Sequence, residues 1–175
     1  AILNDLKYIR TSLDKEFMIG IQYAFTGQNE EVISYFKEFM TKLNLDIEQH
    51  RVYHAQAVQM IGNALVNLGE IQQAQLIYID EVKYLESVGL TGIESYRCIC
   101  DALSVVYNQL HSYHEAYKWG MKAKAAFEKA QVYNYPYIRC LANLALSMSN
   151  MGQSVWAKIL IDVVMENIDK CAGLD

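Results

Sequence analysis

The stretch "GNALVNLGEIQQAQ", residues 62–75, has the pattern of a tight helical hairpin. Gly69 separates two amphipathic segments, and small residues flank it: Gly62 lies seven positions before it and Ala74 five positions after it. Two antiparallel helices approach each other closely only where the side chains at their crossing are small. The stretch therefore predicts two packed helices joined by a turn at Gly69.

The same pattern occurs four times along the chain. The turn positions recur at a nearly constant spacing and are Gly27, Gly69, His111 and Gly152. The residues seven positions earlier are Gly20, Gly62, Ser104 and Ala145. The residues five positions later are Val32, Ala74, Ala116 and Ala157. Small residues at such a regular spacing predict an array of helical repeats, each of about 42 residues.

Bulky residues between the small ones recur at helical three- and four-residue steps, which predicts that they form the core. They are Ile19, Ile61, Leu103 and Leu144 in one row, and Tyr23, Leu65, Tyr107 and Met148 in the next. Aromatic residues on the second helices are predicted to fill the space between neighbouring units: Phe36, Tyr78, Trp119 and Trp156. The predicted helices are 12–26 with 29–43, 46–68 with 70–89, 92–110 with 112–131, and 136–151 with 153–171.

These features predict an all-α fold, in which four antiparallel helix hairpins stack into a right-handed superhelix, an α-solenoid. Residues 1–175 contain one proline and no linker-like stretch, so we expect a single helical repeat domain. The chain begins without methionine, and we expect it to be part of a longer protein.

Composition excludes several classes of function. The net charge of −5 disfavours nucleic-acid binding, which needs a basic surface. No apolar run approaches the roughly 18 residues that a membrane-spanning helix requires. The four cysteines form no paired CxxC motifs, so we expect buried thiols in a reducing cytoplasm rather than a zinc site.

The segments "GNALVNLGEIQQAQLIY" and "ALSMSNMGQSVWAKILI" resemble tetratricopeptide repeats, with a small residue, a glycine at the turn and an alanine on the second helix. The usual period of that family is about 34 residues, and the units here are longer by roughly one helical turn in each helix. Such long repeats resemble the helical sensor domains of bacterial regulators, including peptide-binding quorum-sensing receptors and the maltose-activator type. The resemblance implies a binding scaffold whose first helices line a concave groove.

Polar residues remain on the first helices once the packing residues are subtracted. Asn and Gln each offer a donor and an acceptor, so a row of amides can bind the backbone of an extended peptide. Arg139 has the chemistry to bind a ligand carboxylate, although a solvated arginine is an equal alternative. The predicted peptide-binding residues are Gln59, Asn63, Asn67, Asn108, Gln109, Arg139 and Asn150.

Catalysis has little support in the sequence. His50 and His54 are four residues apart, as metal ligands on a helix can be, but no third ligand is evident. No phosphate-binding glycine loop or nucleophile elbow occurs, so we expect no catalytic residues, metal or cofactor. The sequence predicts a non-enzymatic peptide- or protein-binding module of a cytoplasmic regulator, with homodimerisation as a further option. The alternative is a structural self-assembly domain with an empty groove.

Overall fold

The computed structural model describes the backbone of residues 12–172 and the side chains of residues 12–168. This part of the chain is all-helical. Its helices are α1 (Ser12–Phe25), α2 (Asn29–Thr41), α3 (Glu48–Asn67), α4 (Ile71–Ser87), α5 (Glu94–Gln109), α6 (Tyr113–Lys129), α7 (Tyr135–Asn150) and α8 (Ser154–Ala172). Every helix end lies within two residues of its predicted position, which confirms the predicted succession of helices.

The helices fall into two compact units, residues 1–70 and residues 71–175. The first unit contains α1–α3, and α2 packs against both α1 and α3. The second unit contains α4–α8, in which each helix packs against the next along the chain and α5 also packs against α7. The right-handed superhelix over the whole chain and the single domain of residues 1–175 remain predictions.

Close packing in the first unit depends on Gly20. A Cβ atom added at Gly20 would lie 2.5 Å from Cζ of Phe36, which is fully buried. The Phe36 ring lies within an aromatic cluster, since the ring of Phe17 is centred 5.3 Å from Phe36, 5.8 Å from Phe39 and 5.6 Å from Tyr53. The predicted small residue at this position therefore lets α2 insert an aromatic ring against the backbone of α1.

The predicted small residues are buried at every position. Before the turns these are Gly20, Gly62, Ser104 and Ala145, and after them Val32, Ala74, Ala116 and Ala157. Most of the predicted bulky core is also confirmed, including Phe36, Tyr78 and Leu103, which are fully buried. Gly120 provides a further close approach that the pattern did not identify, because a Cβ there would lie 3.0 Å from Leu144 Cδ1.

The predicted burial is wrong for two residues, Ile19 and Trp156. Ile19 is 47% exposed, because it lies on a side of α1 where it borders a shallow pocket of about 150 Å³ with Gln22 and Tyr23. Trp156 is 63% exposed, because it lies on the outer side of α8, away from the buried Ala157 and Val164. Trp119 is half-buried and has the Lys122 ammonium 4.7 Å from its ring centre.

The predicted turn positions share a left-handed backbone conformation. Gly69 has φ +81°, and His111, which replaces glycine in the third hairpin, has φ +56°. In residues other than glycine this conformation brings Cβ too close to the following carbonyl oxygen. His111 therefore carries backbone strain that the three glycines do not.

We expect His111→Gly to raise the free energy of unfolding by about 0.5–1 kcal/mol, because relief of strain exceeds the added chain entropy of the unfolded state. Loss of the exposed hydrogen bond between His111 Nδ1 and the Tyr113 hydroxyl, 2.9 Å long, offsets only part of the gain. Urea unfolding followed by tryptophan fluorescence measures the change. The matched control, Gly152→Ala at the turn of the fourth hairpin, where φ is +78°, lies in the same unit as both tryptophans and is expected to destabilise. A loss of stability in His111→Gly would contradict the assignment of strain.

Candidate interaction surface on the first helices

In the second unit, the first helices of the third and fourth hairpins, α5 and α7, pack directly against each other. The two hairpins are offset by one repeat period, so residues one period apart occupy corresponding positions on the two helices. Polar side chains within three residues of corresponding positions form hydrogen bonds across the contact. We call this set of bonded residues the α5–α7 polar network; it consists of Asp101, Asn108, Arg139, Asn143, Ser147 and Asn150.

A buried carboxylate anchors one end of the α5–α7 polar network. Asp101 is 1% exposed, and its Oδ2 accepts a hydrogen bond of 3.1 Å from Nε of Arg139. Nη2 of Arg139 forms an ion pair with the same oxygen at 3.1 Å. Oδ1 of Asp101 accepts a hydrogen bond of 2.9 Å from Nδ2 of Asn143. Burial raises the pKa of Asp101, and the Asn143 and Arg139 bonds oppose that shift by stabilising the carboxylate.

Amides form the other end of the network. Nδ2 of Asn150 donates to Oδ1 of Asn108 at 3.3 Å, and Nδ2 of Asn108 donates to Oγ of Ser147 at 2.8 Å. Ser147 Oγ in turn donates to the backbone carbonyl of Asn143 at 3.0 Å. These bonds connect the network to the same turn of α7 that contacts Asp101.

The predicted exposure of Asn108 is wrong. The sequence pattern placed Asn108 on an exposed face, but the residue is buried and its amide bonds to Ser147 and Asn150. Asn108 therefore joins two repeats. Gln109 and Asn150 are exposed, and the Arg139 side chain is 48% exposed, so these three predicted residues lie at the solvent edge of α5 and α7.

Asp101, Asn143 and Ser147 are not among the binding residues that the sequence predicts. A usable signal existed for Asp101 and Asn143, because they are 42 residues apart, within one residue of the spacing between the turns at His111 and Gly152. Complementary polar residues one period apart on first helices are placed to bond each other. This spacing therefore identifies contacts between repeats as readily as contacts with a ligand.

The first unit contains the other predicted residues, on α3. Gln59 is half-buried, whereas Asn63 and Asn67 are exposed. Nδ2 of Asn67 donates to Oδ1 of Asn29 on α2 at 3.1 Å, so this amide also bonds to a neighbouring hairpin. A ligand contact by any of the seven predicted residues remains a prediction.

Histidines and thiols have local structural contacts. Nδ1 of His50 accepts a hydrogen bond of 2.9 Å from the backbone N–H of Asn44. Within the described residues, no group of three or more His, Cys, Asp or Glu side chains is arranged to hold a metal ion. Cys98, Cys100 and Cys140 are buried free thiols, and burial raises the pKa of Cys98 to about 11 and that of Cys100 to about 12.

A separate pocket of about 350 Å³ lies at the turns of the third and fourth hairpins. It is lined by His111, Ser112, Tyr113, His114, Glu115, Met151 and Gln153. From residue 12 to residue 172, the helices are too short or too polar to cross a lipid bilayer.

Known structures share this fold. The apo form of RapI is similar over 95% of this chain and 46% of its own, with a TM-score of 0.77 and 15% identity. TPR-like repeats of a Podosopora anserina protein assigned to the kinesin light chains give a TM-score of 0.70 with 16% identity, covering 90% of this chain and 75% of that one. BtubC (BKLC) from P. vanneervenii gives 0.57 with 11% identity, covering 95% and 94%.

These similarities confirm the tetratricopeptide-like helical repeat fold. The chain spans less than half the length of RapI. No protein-family model and no curated protein matches the sequence significantly.

Proposed function

We propose that the chain is a non-enzymatic protein-interaction module that binds an extended peptide or protein segment along the solvent edge of α5 and α7. The observation that carries this proposal is the α5–α7 polar network, which holds the partly exposed Arg139 and the exposed Asn150 in fixed positions. Side chains that are already ordered lose less conformational entropy when a ligand binds.

The geometry supplies both donors and acceptors at this edge. Nε–H of Arg139 donates to Asp101 and Nη2 is ion-paired with the same carboxylate, so the two N–H groups of Nη1 are left to donate to a ligand carbonyl or carboxylate. Asn150 uses one N–H in its bond to Asn108, which leaves its second N–H and its carbonyl oxygen for a ligand. Gln109 adds a complete exposed amide. An extended peptide backbone presents the matching N–H and C=O groups.

We also propose that the module is the sensor or interaction part of a larger cytoplasmic regulator that takes part in transcription regulation. The similarity to RapI supports this, since RapI contains the same fold within a chain more than twice as long. Gln59, Asn63 and Asn67 on α3 are proposed to contact the same class of ligand. Neither proposal assigns nucleic-acid or membrane binding to these residues.

Random peptides displayed on phage and selected on the immobilised chain provide a ligand for testing this proposal. We expect Gln109→Ala/Asn150→Ala to weaken binding of a selected peptide by about tenfold or more, because each lost hydrogen bond costs about 1 kcal/mol. Isothermal titration calorimetry measures the affinity. Gln72→Ala on α4 is the matched control, since Gln72 is also an exposed amide but lies on a second helix.

The result separates the alternatives. Equal affinity of the double variant and the wild type would exclude peptide binding at this edge. Weaker binding in the Gln72→Ala control would instead place the ligand on the second helices.

A further inference from the structure

The outer face of α8 differs from that of the other second helices. The outer positions of a second helix are those three, four, seven and eleven residues after its turn residue. In α8 they are Val155, Trp156, Ile159 and Val163, with exposed fractions of 72%, 63%, 50% and 39%. In α2, α4 and α6 they are Glu30, Glu31, Ser34 and Glu38; Gln72, Gln73, Leu76 and Asp80; and His114, Glu115, Lys118 and Lys122. Eleven of these twelve residues are polar, so the four apolar residues are a property of α8 alone.

Packing between repeats does not explain the apolar outer face. In α6, the residues nine and sixteen positions after the turn contact the next hairpin: a Cβ added at Gly120 would lie 3.0 Å from Leu144, and the ring of Phe127 is centred 5.9 Å from that of Tyr137. The residues at these positions in α4, Tyr78 and Leu85, are also buried. The corresponding residues of α8 are Ile161 and Ile168. A further hairpin packed on α8 would cover those two residues and leave the outer face in water. The outer face therefore requires a partner from outside the repeat array.

We propose that the outer face of α8 binds the same face of a second copy of this chain, with the two α8 helices antiparallel. Val155, Ile159 and Val163 are spaced four residues apart and form a ridge that fits beside the same ridge of an antiparallel copy. A contact of this kind is isologous, because one surface patch meets itself across a two-fold axis. Trp156 flanks the ridge and becomes buried in the contact.

The charges beside the ridge are complementary in this arrangement. Lys158 and Asp162 are both exposed and lie one helical turn apart along the same flank of the ridge. In an antiparallel two-fold pairing, identical flanks meet. An axis near residue 160 therefore brings Lys158 of each copy next to Asp162 of the other. A parallel pairing would not bring these flanks together, so the charges favour the antiparallel copy as the occupant.

Sedimentation velocity over a concentration series tests the proposal with the whole chain. We expect a dimer with a dissociation constant in the micromolar range, and Ile159→Lys/Val163→Lys to weaken it by about 30-fold or more. This variant gives α8 the lysines that α6 carries at the same positions, Lys118 and Lys122, so the helix should still fold. Leu76→Gln is the control, because Leu76 is an exposed apolar residue at the corresponding outer position of α4, and it should leave the dimer intact.

Charge exchanges at Lys158 and Asp162 test whether the two α8 helices pair in the antiparallel direction. Lys158→Glu is expected to weaken the dimer, and Lys158→Glu/Asp162→Lys to restore it, because the double exchange recreates opposite charges between copies. In a Trp119→Phe background, the emission of Trp156 should shift to shorter wavelength as concentration rises.

A wild-type chain that remains monomeric at about 100 μM would overturn the proposal. A dimer that Ile159→Lys/Val163→Lys leaves intact, or a double exchange that fails to restore association, would also overturn it. Cosedimentation of a monomeric chain with phosphatidylcholine–phosphatidylglycerol vesicles would show that the outer face of α8 binds lipid, and it would also overturn the proposed dimer.

Discussion

Replacement of Arg139 with methionine is expected to lower the free energy of unfolding by about 2–3 kcal/mol at neutral pH. The change leaves the buried carboxylate of Asp101 with Asn143 as its remaining partner in the α5–α7 polar network. Removing one partner of a fully buried ion pair costs about 3–5 kcal/mol, and the half-exposed guanidinium of Arg139 reduces that cost. Urea unfolding followed by tryptophan fluorescence measures the loss, since both tryptophans lie in the second unit.

The loss should depend on pH in a defined direction. The pKa of Asp101 is raised above its ordinary value of 3.8 by burial. Removing Arg139 raises this pKa further, because the guanidinium stabilises the charged form. A carboxyl group whose pKa is raised on folding destabilises the fold fully at pH values above the raised pKa. This destabilisation decreases as the pH falls and is absent once the group is protonated in both the folded and the unfolded forms. The difference between wild type and variant should therefore shrink as pH falls and vanish below the ordinary pKa.

Asp101→Asn/Arg139→Met is the matched control, because it removes the charge together with its partner. We expect this double variant to recover most of the stability lost in Arg139→Met. A loss that is equally large at low and neutral pH, or a double variant as unstable as the single one, would contradict the role assigned to the buried carboxylate.

Substitution of Gly20 by alanine is expected to destabilise the first unit by up to about 2 kcal/mol, the cost of overpacking less a gain in helix propensity. The added methyl group would lie 2.5 Å from Phe36 Cζ and 2.9 Å from both Cε atoms. The Phe36 ring cannot withdraw easily, because the rings of Phe17, Tyr35 and Phe39 pack around it. Overpacking of this kind costs about 1–3 kcal/mol, and the better helix propensity of alanine returns about 1 kcal/mol.

The sign of the effect should reverse when Phe36 is smaller. In a Phe36→Leu background the ring atoms that the methyl group would meet are absent, so Gly20→Ala should raise stability through helix propensity alone. Hydrogen exchange of the amides in α1 and α2 reports on this unit separately. Gly20→Ala with equal effects in both backgrounds would show that the contact with Phe36 does not determine the need for glycine.

The succession of helices could be predicted from the sequence because it depends on a periodic signal. Small residues at helix crossings and the turn residues Gly27, Gly69, His111 and Gly152 recur once in every repeat. These positions have local steric causes: all four turn residues have a positive φ, and a Cβ added at Gly20 would meet Phe36. Because local causes of this kind recur in every repeat, they appear in the sequence as a periodic pattern from which the helices can be predicted.

Exposure was predicted less well because it depends on which neighbour covers a residue. Trp156 occupies a position that is polar in the other second helices, so its size alone suggested packing where the structure shows an exposed ring. Asn108 was read as a ligand contact because its helical position resembled that of an exposed amide. Asn108 is bonded to Ser147 and Asn150 on α7, which cover it. A periodic row of residues shows where each residue lies in its own repeat, but not which residue of the next repeat is its hydrogen-bond partner.

The most direct test of the proposed function is to observe the side-chain amides of the isotope-labelled chain by NMR while a phage-selected peptide is added. The proposal predicts that the amide signals of Gln109 and Asn150 shift in proportion to the bound fraction, while those of Gln72 and Gln131 remain in place. Shifts confined to Gln72 or to residues of α8, with Gln109 and Asn150 unchanged at saturation, would contradict a peptide-binding surface on α5 and α7.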